Sequence, residues 1–262
     1  MQVSSSDLLD FTPVAAPIEV PAPAWFVSDL HLTENMRRTR AAFERLLDRA
    51  AANARALFIL GDFFEFWVGD DALDRPFARD VAQLLRRLSA CGVPVYLMHG
   101  NRDFLLGQRF ADAAGATLLP DPTVVICGGQ RVALSHGDML CLDDERYNRF
   151  RMWTRKRWVQ RSFLALPLAM RLAVARRLRA DSEAGRTHQI MYGDATPAAV
   201  EALLAATGTH TVVHGHTHRP AHHQHGENDR WVLTDWDLDT RNPRAAVLQL
   251  DANGFSELTQ AD

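Results

Sequence analysis

Short apolar runs alternate with helical patterns along the first hundred residues. The runs with buried-strand character are WFVSDL at 25–30, ALFIL at 56–60 and VPVYLMHG at 93–100. Between them, residues 37–54 and 75–92 space their apolar side chains along one face of a helix. This β-α-β-α-β order predicts an α/β fold with a parallel or mixed sheet flanked by helices.

The later strands are shorter and more antiparallel in character. We predict them at 123–127, 130–137, 211–216, 230–235 and 245–251. The sequence CGGQ separates the first two of these strands and is typical of a hairpin turn. Hairpins on the sheets are therefore expected after the initial β-α-β-α-β segment.

Residues 143–200 break this alternation, because they lack a strand pattern and look helical. From Arg146 to Arg179 the chain has eleven basic residues and no acidic one, against eighteen basic and thirty-two acidic residues elsewhere. Apolar side chains such as Trp153 and Trp158 interleave with these arginines. We predict a helical insertion with a strongly positive electrostatic potential. Four interpretations are compatible with such a segment. It is either an ordinary solvated helix face or a surface that binds an anionic membrane, an acyl substrate that carries phosphates, or nucleic acid.

The composition is that of a soluble globular chain with no global attraction to anionic polymers. Its 262 residues are 47% hydrophobic and 23% charged, with a net charge of −3. The three cysteines are widely spaced, which favours a reducing compartment. Residues 1–24 hold four prolines and no lysine or arginine, unlike a signal peptide, and we predict a flexible extension before a domain at 25–262. No apolar run could span a bilayer, so we expect a cytoplasmic location.

Five polar clusters fall at the C-terminal ends of predicted strands. They are SDLH at 28–31, GDFFE at 61–65, GNRD at 100–103, HGD at 136–138 and HGHTH at 214–218. Each cluster alone is compatible with an ordinary turn. Strand C-termini form the ligand crevice of an open α/β sheet, so the five clusters can converge. Their donors are oxygen and imidazole without thiolate, which suits paired Mn²⁺, Fe²⁺ or Zn²⁺ ions.

The order D-x-H, GD, GN-x-D, H and GH-x-H resembles the calcineurin-like metallophosphoesterase superfamily. Within it, the segments FVSDLHL, FILGDFFEFWVGDD, HGNRDFLLGQRF, LSHGDMLCLDDERYNRFR, FLALPLAMR and VVHGHTHRPA are similar to the UDP-2,3-diacylglucosamine hydrolase family of the lipid A pathway. GNRD, in place of the more usual GNH-[DE], is the more specific mark. The resemblance covers about residues 25–250. It implies a four-layer α/β/β/α sandwich with a helical cap at about 143–200.

The resemblance also implies a site for two divalent metal ions, with Mn²⁺ as the expected ion. The implied ligands are Asp29, His31 and His218 for one ion, Asn101, His136 and His216 for the other, and Asp62 as the bridge. Two cations roughly 3.5–4 Å apart can neutralise phosphate oxygens and activate water. A bridging carboxylate would hold that spacing.

The stretch from 214 to 225 packs six of the eleven histidines into twelve residues. Histidine-rich stretches are often adventitious metal binders. Beyond the two implied ligands, we expect His214 to lie outside the ligand set and to orient a ligand. We expect His222, His223 and His225 to face solvent.

Arg102 follows the implied ligand Asn101 directly, and a guanidinium can clamp phosphate oxygens in bidentate fashion. We therefore predict catalytic roles for Asn101 and Arg102. The resemblance implies that the cap covers the site and forms a chamber for two acyl chains. The residues expected to contact substrate are Arg102, Asp144, Tyr147, Arg179, Ser182, Arg186 and His216.

The implied reaction is hydrolysis of UDP-2,3-diacylglucosamine to 2,3-diacylglucosamine 1-phosphate (lipid X) and UMP, with water attacking the phosphorus next to uridine. A lipidic substrate implies peripheral association with the cytoplasmic face of the inner membrane. We expect no nucleic-acid partner and no obligate protein partner.

Two other functions are compatible with the pattern. One is a different metallophosphoesterase activity, a nucleotide phosphodiesterase or a nuclease, although a small soluble nucleotide does not require a basic and apolar insertion. The other is a non-catalytic scaffold of the same fold. Competent donors at all seven implied ligand positions argue against a scaffold.

Overall fold

Two six-stranded β-sheets lie against each other in the computed structural model of this chain. The structure describes residue 11, residues 14–186 and residues 193–258, except for the side chains of 145, 146 and 181–186. The strands in this part of the chain are β1 (Ile18–Val20), β2 (Ala24–Val27), β3 (Ala56–Leu60), β4 (Val95–Met98), β5 (Ala116–Leu119), β6 (Thr123–Cys127), β7 (Gln130–Ser135), β8 (Thr211–His214), β9 (Ala221–His225), β10 (Asn228–Val232), β11 (Val247–Asp251) and β12 (Gly254–Leu258). The helices are α1 (Arg37–Asn53), α2 (Pro76–Ala90), α3 (Gln108–Ala114), α4 (Glu145–Thr154), α5 (Arg157–Leu164), α6 (Leu168–Arg186) and α7 (Pro197–Thr207).

The first sheet has the order β12-β11-β2-β3-β4-β5, and β2 to β5 run parallel. Helices α1, α2 and α3 cover its outer face. Helix α1 buries Phe43, Leu46 and Leu47, which recur at the spacing of one helical face, and α2 does the same with Val81 and Leu85. The predicted β-α-β-α-β segment is therefore confirmed.

The second sheet has the order β1-β6-β7-β8-β10-β9. Helix α7 packs on its outer face through Ala199, Leu203 and Leu204. The inner faces of the two sheets meet in an apolar layer that includes Phe26, Phe58 and many aliphatic side chains. The architecture is thus helix, sheet, sheet, helix, and the predicted four-layer α/β/β/α fold is confirmed.

Pairing in the second sheet is more parallel than the sequence suggested. Strands β6 and β7 form the expected antiparallel hairpin around Gly128 and Gly129, whose φ angles are positive. However, β8 runs parallel to both β7 and β10. The chain between β7 and β8 contains the insertion and α7, and only such a long crossover allows a parallel pair.

The N-terminal segment is ordered further back than predicted. Strand β1 pairs in parallel with β6, and Val20 and Phe11 are buried. The prediction of a flexible extension over 1–24 is therefore wrong at residues 18–20, which form the edge strand of the second sheet, and at Ala24, which begins β2 of the first sheet. Residues 1–10 and 12–13 of the predicted extension lie outside the described residues.

Three helices, α4 to α6, lie between β7 and β8 along the chain, and we call them the cap. Arg171 of α6 is buried and donates hydrogen bonds to the carbonyl of Val68 and to the carboxylate of Asp71, both in the loop after β3. Arg155 donates to the carbonyl of Gly100 at 3.0 Å.

Helix α7, which starts inside the predicted insertion at Pro197, packs on the sandwich and not with the cap. Among the described residues, none of the helices has the length and apolar character needed to cross a bilayer.

The layer between the sheets gives a direct test of this architecture. The ring of Phe58 stacks on Phe26 at 5.1 Å and on Tyr96 at 4.7 Å between centroids. We expect Phe58→Ala to lower the free energy of unfolding by about 3–5 kcal/mol, because it removes a fully buried ring and leaves a cavity. Chemical denaturation of the full chain measures this change. The exposed Gln224→Ala is the control and should stay within about 0.5 kcal/mol of wild type. A loss under about 1 kcal/mol for Phe58→Ala would contradict the packing of the two sheets.

Candidate metal centre

Strand ends from both sheets meet at one edge of the sandwich. Asp29 and Asp62 each follow a strand of the first sheet by two residues, and Asn101 follows β4. His136 comes directly after β7 and His216 follows β8, both in the second sheet. Backbone hydrogen bonds join these loops, since the amide of Asp29 donates to Gly61 at 3.1 Å and the amide of His31 donates to Asp62 at 2.9 Å. The structure thus brings the five predicted polar clusters together.

The backbone is strained at this edge. The non-glycine residues with positive φ in the described part of the chain are Asp29 (54°), His31 (48°), Asp62 (48°), His216 (67°) and His218 (53°). All five are among the predicted metal ligands. Left-handed backbone conformations are uncommon for residues other than glycine, although Asp and His tolerate them better than most, and they cluster at functional sites where the surroundings impose them. The loops therefore adopt uncommon backbone conformations, and these direct the five side chains into the site.

Two glycines let the loops approach the buried carboxylates. A Cβ atom at Gly100 would lie 2.1 Å from Oδ1 of Asp62, and a Cβ atom at Gly215 would lie 2.2 Å from Oδ2 of Asp29. Any side chain at these positions would displace a carboxylate. The glycines of the GNRD and HGHTH motifs are thus required by contact with the site.

One group of donors consists of Asp29, His31 and His218. Their ligand atoms lie within 4.8 Å of one another. Nε2 of His31 is 3.3 Å from Nε2 of His218. Oδ1 of Asp29 is 3.2 Å from Nε2 of His218 and 3.8 Å from Nε2 of His31. Two imidazole nitrogens and a carboxylate oxygen that face one point form a suitable set for a divalent cation.

A second group shares Asp29 and adds Asp62 and His136. Oδ1 of Asn101 lies 3.0 Å from Nε2 of His136, whose ring centroid is 5.0 Å from that of His216. Asp62 lies between His31 of the first group and His136 of the second, with Oδ2 at 3.9 Å from Nε2 of His31 and Oδ1 at 3.8 Å from Nε2 of His136. All seven predicted ligands therefore lie in one cluster.

The outward-facing nitrogens of three imidazoles meet oxygen atoms. Nδ1 of His136 donates to the carbonyl of Leu60 at 2.9 Å. Nδ1 of His31 lies 3.3 Å from Oε2 of Glu65, and Nδ1 of His218 lies 3.5 Å from Oδ2 of Asp235. These oxygens favour a proton on Nδ1 and leave the Nε2 lone pair for a ligand, which is how metal-binding histidines are oriented. The residues present therefore fit a divalent metal centre.

Burial and mutual charge shift the protonation of the cluster. Burial raises the pKa of Asp62, and the charges of His136 and His31 offset only part of that rise. Burial alone would lower the pKa of His136, but the charges of Asp62, Asp29 and Asp138 outweigh burial and raise it to about 9. Burial lowers the pKa of His216 to about 3, with a further contribution from the charge of His136. A proton on Nε2 of His136 would compete with a cation for the same lone pair.

Asp29 shows the same competition between burial and charge. Burial raises its pKa, but the hydrogen bond and charge of His218, together with the charges of His136 and His31, bring it below the usual range. Two carboxylates buried side by side are costly without positive charge nearby. Imidazoles supply such charge when they are protonated, and divalent cations would supply more of it.

The other histidines of the stretch belong to neither donor group. His214 is fully buried, its Nδ1 donates to the carbonyl of Gly215 at 2.8 Å, and burial lowers its pKa to about 4. His222, His223 and His225 lie on β9, an edge strand, and His222 stacks on Trp231 with centroids 3.9 Å apart.

Three of the residues predicted to contact substrate, Arg102, Arg179 and Tyr147, lie beside the cluster. The guanidinium of Arg102 lies 3.0 Å from Glu65 and 3.6 Å from Asp62. Arg179 reaches in from the cap, with Nε at 2.5 Å from Oε1 of Glu65. The ring of Tyr147 is 6.0 Å from that of His216.

Two carboxylates hold the first cap helix beside the site. The hydroxyl of Tyr147 donates to Asp138 at 2.6 Å, and Nε of Arg151 donates to the same carboxylate at 2.9 Å. The side chain of Asp144 accepts a hydrogen bond from the amide of Tyr147, so it caps α4 in this structure. The side chains of Ser182 and Arg186, which we also predicted to contact substrate, lie outside the described residues.

Three carboxylates at the site have no role in the sequence-based prediction. They are Glu65, Asp138 and Asp235. The first two belong to the quoted GDFFE and HGD clusters, so proximity to a predicted ligand was the available signal. Asp235 carried no such signal, because only the fold brings the loop after β10 to His218.

Comparison with known proteins identifies close relatives. The model of the calcineurin-like phosphoesterase family matches residues 22–220. A UDP-2,3-diacylglucosamine hydrolase of Ralstonia nicotianae is 52% identical over 94% of this chain and 95% of its own length. Proteins of the same name from Pseudomonas putida (49% identical, 87% of this chain and 95% of its own) and Pseudomonas aeruginosa (46%, 88% and 96%) are also similar.

Metal binding can be tested within the histidine-rich stretch itself. We expect His218→Ala to reduce the Mn²⁺ retained after desalting from about two ions per chain towards one, because one donor group loses a nitrogen. His225→Ala, on the exposed edge strand, is the matched control and should retain the wild-type amount. Elemental analysis of both variants measures the content. Equal metal loss in the two variants, or none in either, would contradict the site.

Proposed function

Because the chain belongs to the calcineurin-like phosphoesterase family and, within it, to the UDP-2,3-diacylglucosamine hydrolases, we propose that it hydrolyses the diphosphate of UDP-2,3-diacylglucosamine. The products are 2,3-diacylglucosamine 1-phosphate and UMP, and water attacks the phosphorus next to uridine. The observation that supports this reaction is the position of the buried Asp62 carboxylate between His31 of one donor group and His136 of the other. The chain is a hydrolase, and divalent metal ions are its cofactors.

Two Mn²⁺ ions are the proposed cofactors. The residues that would hold them are Asp29, His31 and His218 for one ion, Asn101, His136 and His216 for the other, and Asp62 between them. When bound, such ions neutralise the phosphate oxygens and activate water. Oxygen and imidazole donors without thiolate are a set that Mn²⁺ accepts.

Arginine side chains from the sandwich and from the cap would bind the diphosphate. Arg102 follows Asn101, and its amide donates to Oδ1 of Asp62 at 2.8 Å, which fixes the loop against the buried carboxylate. Arg179 approaches the same region from α6. Two guanidinium groups beside the cluster suit an anionic group that must be held in one orientation.

A cavity beneath the cap supports an acyl substrate. It has a volume of about 280 Å³, and its apolar walls include Phe64, Trp67, Phe77 and Leu172. Glu65, which contacts His31, also lines it, so the cavity adjoins the predicted metal site. Its size is near the lower end of ligand pockets. We assign it to an acyl chain of the substrate.

The outer surface of the cap supports peripheral attachment to the cytoplasmic face of the inner membrane. In the described part of the chain, the large apolar side chains that are exposed are Phe150, Trp153, Trp158, Leu164, Met170, Val174 and Leu178, all in the cap. They lie among arginines, and Trp153 and Trp158 are 52% and 61% exposed. Aromatic side chains beside basic residues suit the interface of an anionic bilayer.

Turnover of the lipid nucleotide tests the reaction. In ¹⁸O-labelled water, the label should enter UMP, and Asp62→Ala should abolish turnover because the carboxylate between the donor groups is lost. His225→Ala should keep the wild-type rate. Hydrolysis of cyclic AMP or single-stranded DNA in preference to the lipid nucleotide would instead establish the nucleotide phosphodiesterase or nuclease alternative. Near-normal turnover by Asp62→Ala would refute the dimetal mechanism.

Vesicle binding tests the membrane surface. We expect the double variant Trp153→Ser/Trp158→Ser to bind anionic phospholipid vesicles at least about tenfold more weakly, because two exposed indoles can no longer enter the interface. The matched control, His222→Ser/His225→Ser, changes two exposed residues outside the cap. Co-sedimentation at fixed ionic strength measures both. Unchanged vesicle binding by the tryptophan variant would exclude this surface as the attachment site.

A further inference from the structure

One carboxylate contacts both halves of the candidate site. Glu65 lies 3.3 Å from Nδ1 of His31, 3.0 Å from Nη1 of Arg102 and 2.5 Å from Nε of Arg179. We propose that Glu65 is a positioning residue that couples the metal site to the binding of substrate phosphates. This inference rests on the proposed function and deepens it. Glu65 acts through His31 on the metal side and through the two arginines on the substrate side.

The backbone that carries Glu65 is rigidly placed. The side chains of Phe63 and Phe64 are buried in the core, and both amides donate to the carboxylate of Asp103. The amide of Glu65 itself donates to the carbonyl of Leu32 at 3.3 Å. These hydrogen bonds fix the backbone up to Glu65, and the contacts with His31, Arg102 and Arg179 fix its carboxylate. A positioning residue must be fixed in this way.

The carboxylate of Glu65 is mostly buried, with a side-chain exposure of 12%. Its negative charge is balanced by the guanidinium groups of Arg102 and Arg179, both within ion-pair distance. An ion pair on an open surface contributes little. A mostly enclosed carboxylate needs its partners, and removal of its charge alters all of them.

On the metal side, one oxygen of Glu65 orients an imidazole. Oε2 lies 3.3 Å from Nδ1 of His31, an ion-pair distance slightly longer than a hydrogen bond. The carboxylate favours the proton on Nδ1, which leaves Nε2 of His31 directed towards Asp29 and His218. Carboxylates in this position raise the basicity of a metal-binding histidine, and their loss typically costs 10–100-fold in metal affinity.

On the substrate side, the other oxygen brings two cations together. Oε1 contacts Arg102, from the loop after β4, and Arg179, from the cap. Two guanidinium groups that share one oxygen would repel each other without the negative charge between them. Glu65 therefore holds a pair of phosphate-binding groups in place before substrate arrives. Such preorganisation improves binding because less ordering is needed when the ligand is bound.

Asp235 offers a matched control from the same site. Its carboxylate lies 3.5 Å from Nδ1 of His218, as Glu65 lies beside His31. Its other partner is Arg244, which binds it through two hydrogen bonds of 3.0 and 2.6 Å and is not among the predicted substrate contacts. A change at Asp235 therefore affects the metal side alone, whereas a change at Glu65 affects both sides.

The experiment compares Glu65→Gln with Asp235→Asn in the full chain. We expect both variants to bind Mn²⁺ about tenfold or more weakly in titrations without substrate. At saturating Mn²⁺, only Glu65→Gln should raise the KM for the lipid nucleotide, by about tenfold, with a smaller fall in kcat. An Arg179→Gln variant should raise KM and leave Mn²⁺ affinity within twofold of wild type.

Three outcomes overturn the inference. They are wild-type Mn²⁺ affinity in Glu65→Gln, an unchanged KM in that variant at saturating metal, and equal KM changes in Glu65→Gln and Asp235→Asn. The titration needs no substrate, so it separates this inference from the proposed function. Failure of the wild-type chain to hydrolyse the lipid nucleotide overturns the function, whereas normal hydrolysis with unaltered constants in Glu65→Gln overturns the inference alone.

Discussion

Two carboxylates buried side by side impose the main constraint on this structure. Asp29 and Asp62 are almost completely enclosed where the strand ends of two sheets meet. Charges in such a place require compensating charge and hydrogen bonds. Imidazoles supply part of this compensation, and they reach the carboxylates only because the loops adopt left-handed backbone conformations and because glycines allow close approach. The strain, the glycines and the histidine orientations all follow from the need to surround these two groups.

The sequence revealed the members of the site because of a general property of α/β folds. Polar residues at strand C-termini are carried to one edge whichever loops join the strands, so separate clusters could be assigned to a single crevice. The partners that orient those residues were less visible. Glu65 lies in a quoted motif yet its contacts with His31 and Arg179 depend on the positions of another loop and of the cap. Asp235 depends in the same way on where the chain passes after β10.

Some strands, and the pairing of one of them, were hard to predict from the sequence, and each case has a physical reason. Strand β1 has three residues, too few for an alternating pattern to stand out beside its prolines. Strand β9 has the sequence AHHQH, and an edge strand exposed on its surface needs no apolar face. The parallel pairing of β8 follows from the long crossover through the cap, which local sequence does not encode. Long-range topology, rather than local preference, decided these cases.

The cap connects to the loops that hold the predicted ligands. Arg171 binds the loop after β3, Arg155 binds the loop after β4, and Arg151 binds Asp138 in the loop after β7. Its position is thus tied to the geometry of the metal centre.

The central claim is that seven donors hold a pair of cations across Asp62. Anomalous diffraction from Mn²⁺-loaded crystals tests it most directly. The account predicts two anomalous peaks roughly 3.5–4 Å apart, one on each side of Asp62. A single peak elsewhere, or no peak at this edge of the sandwich, would contradict it.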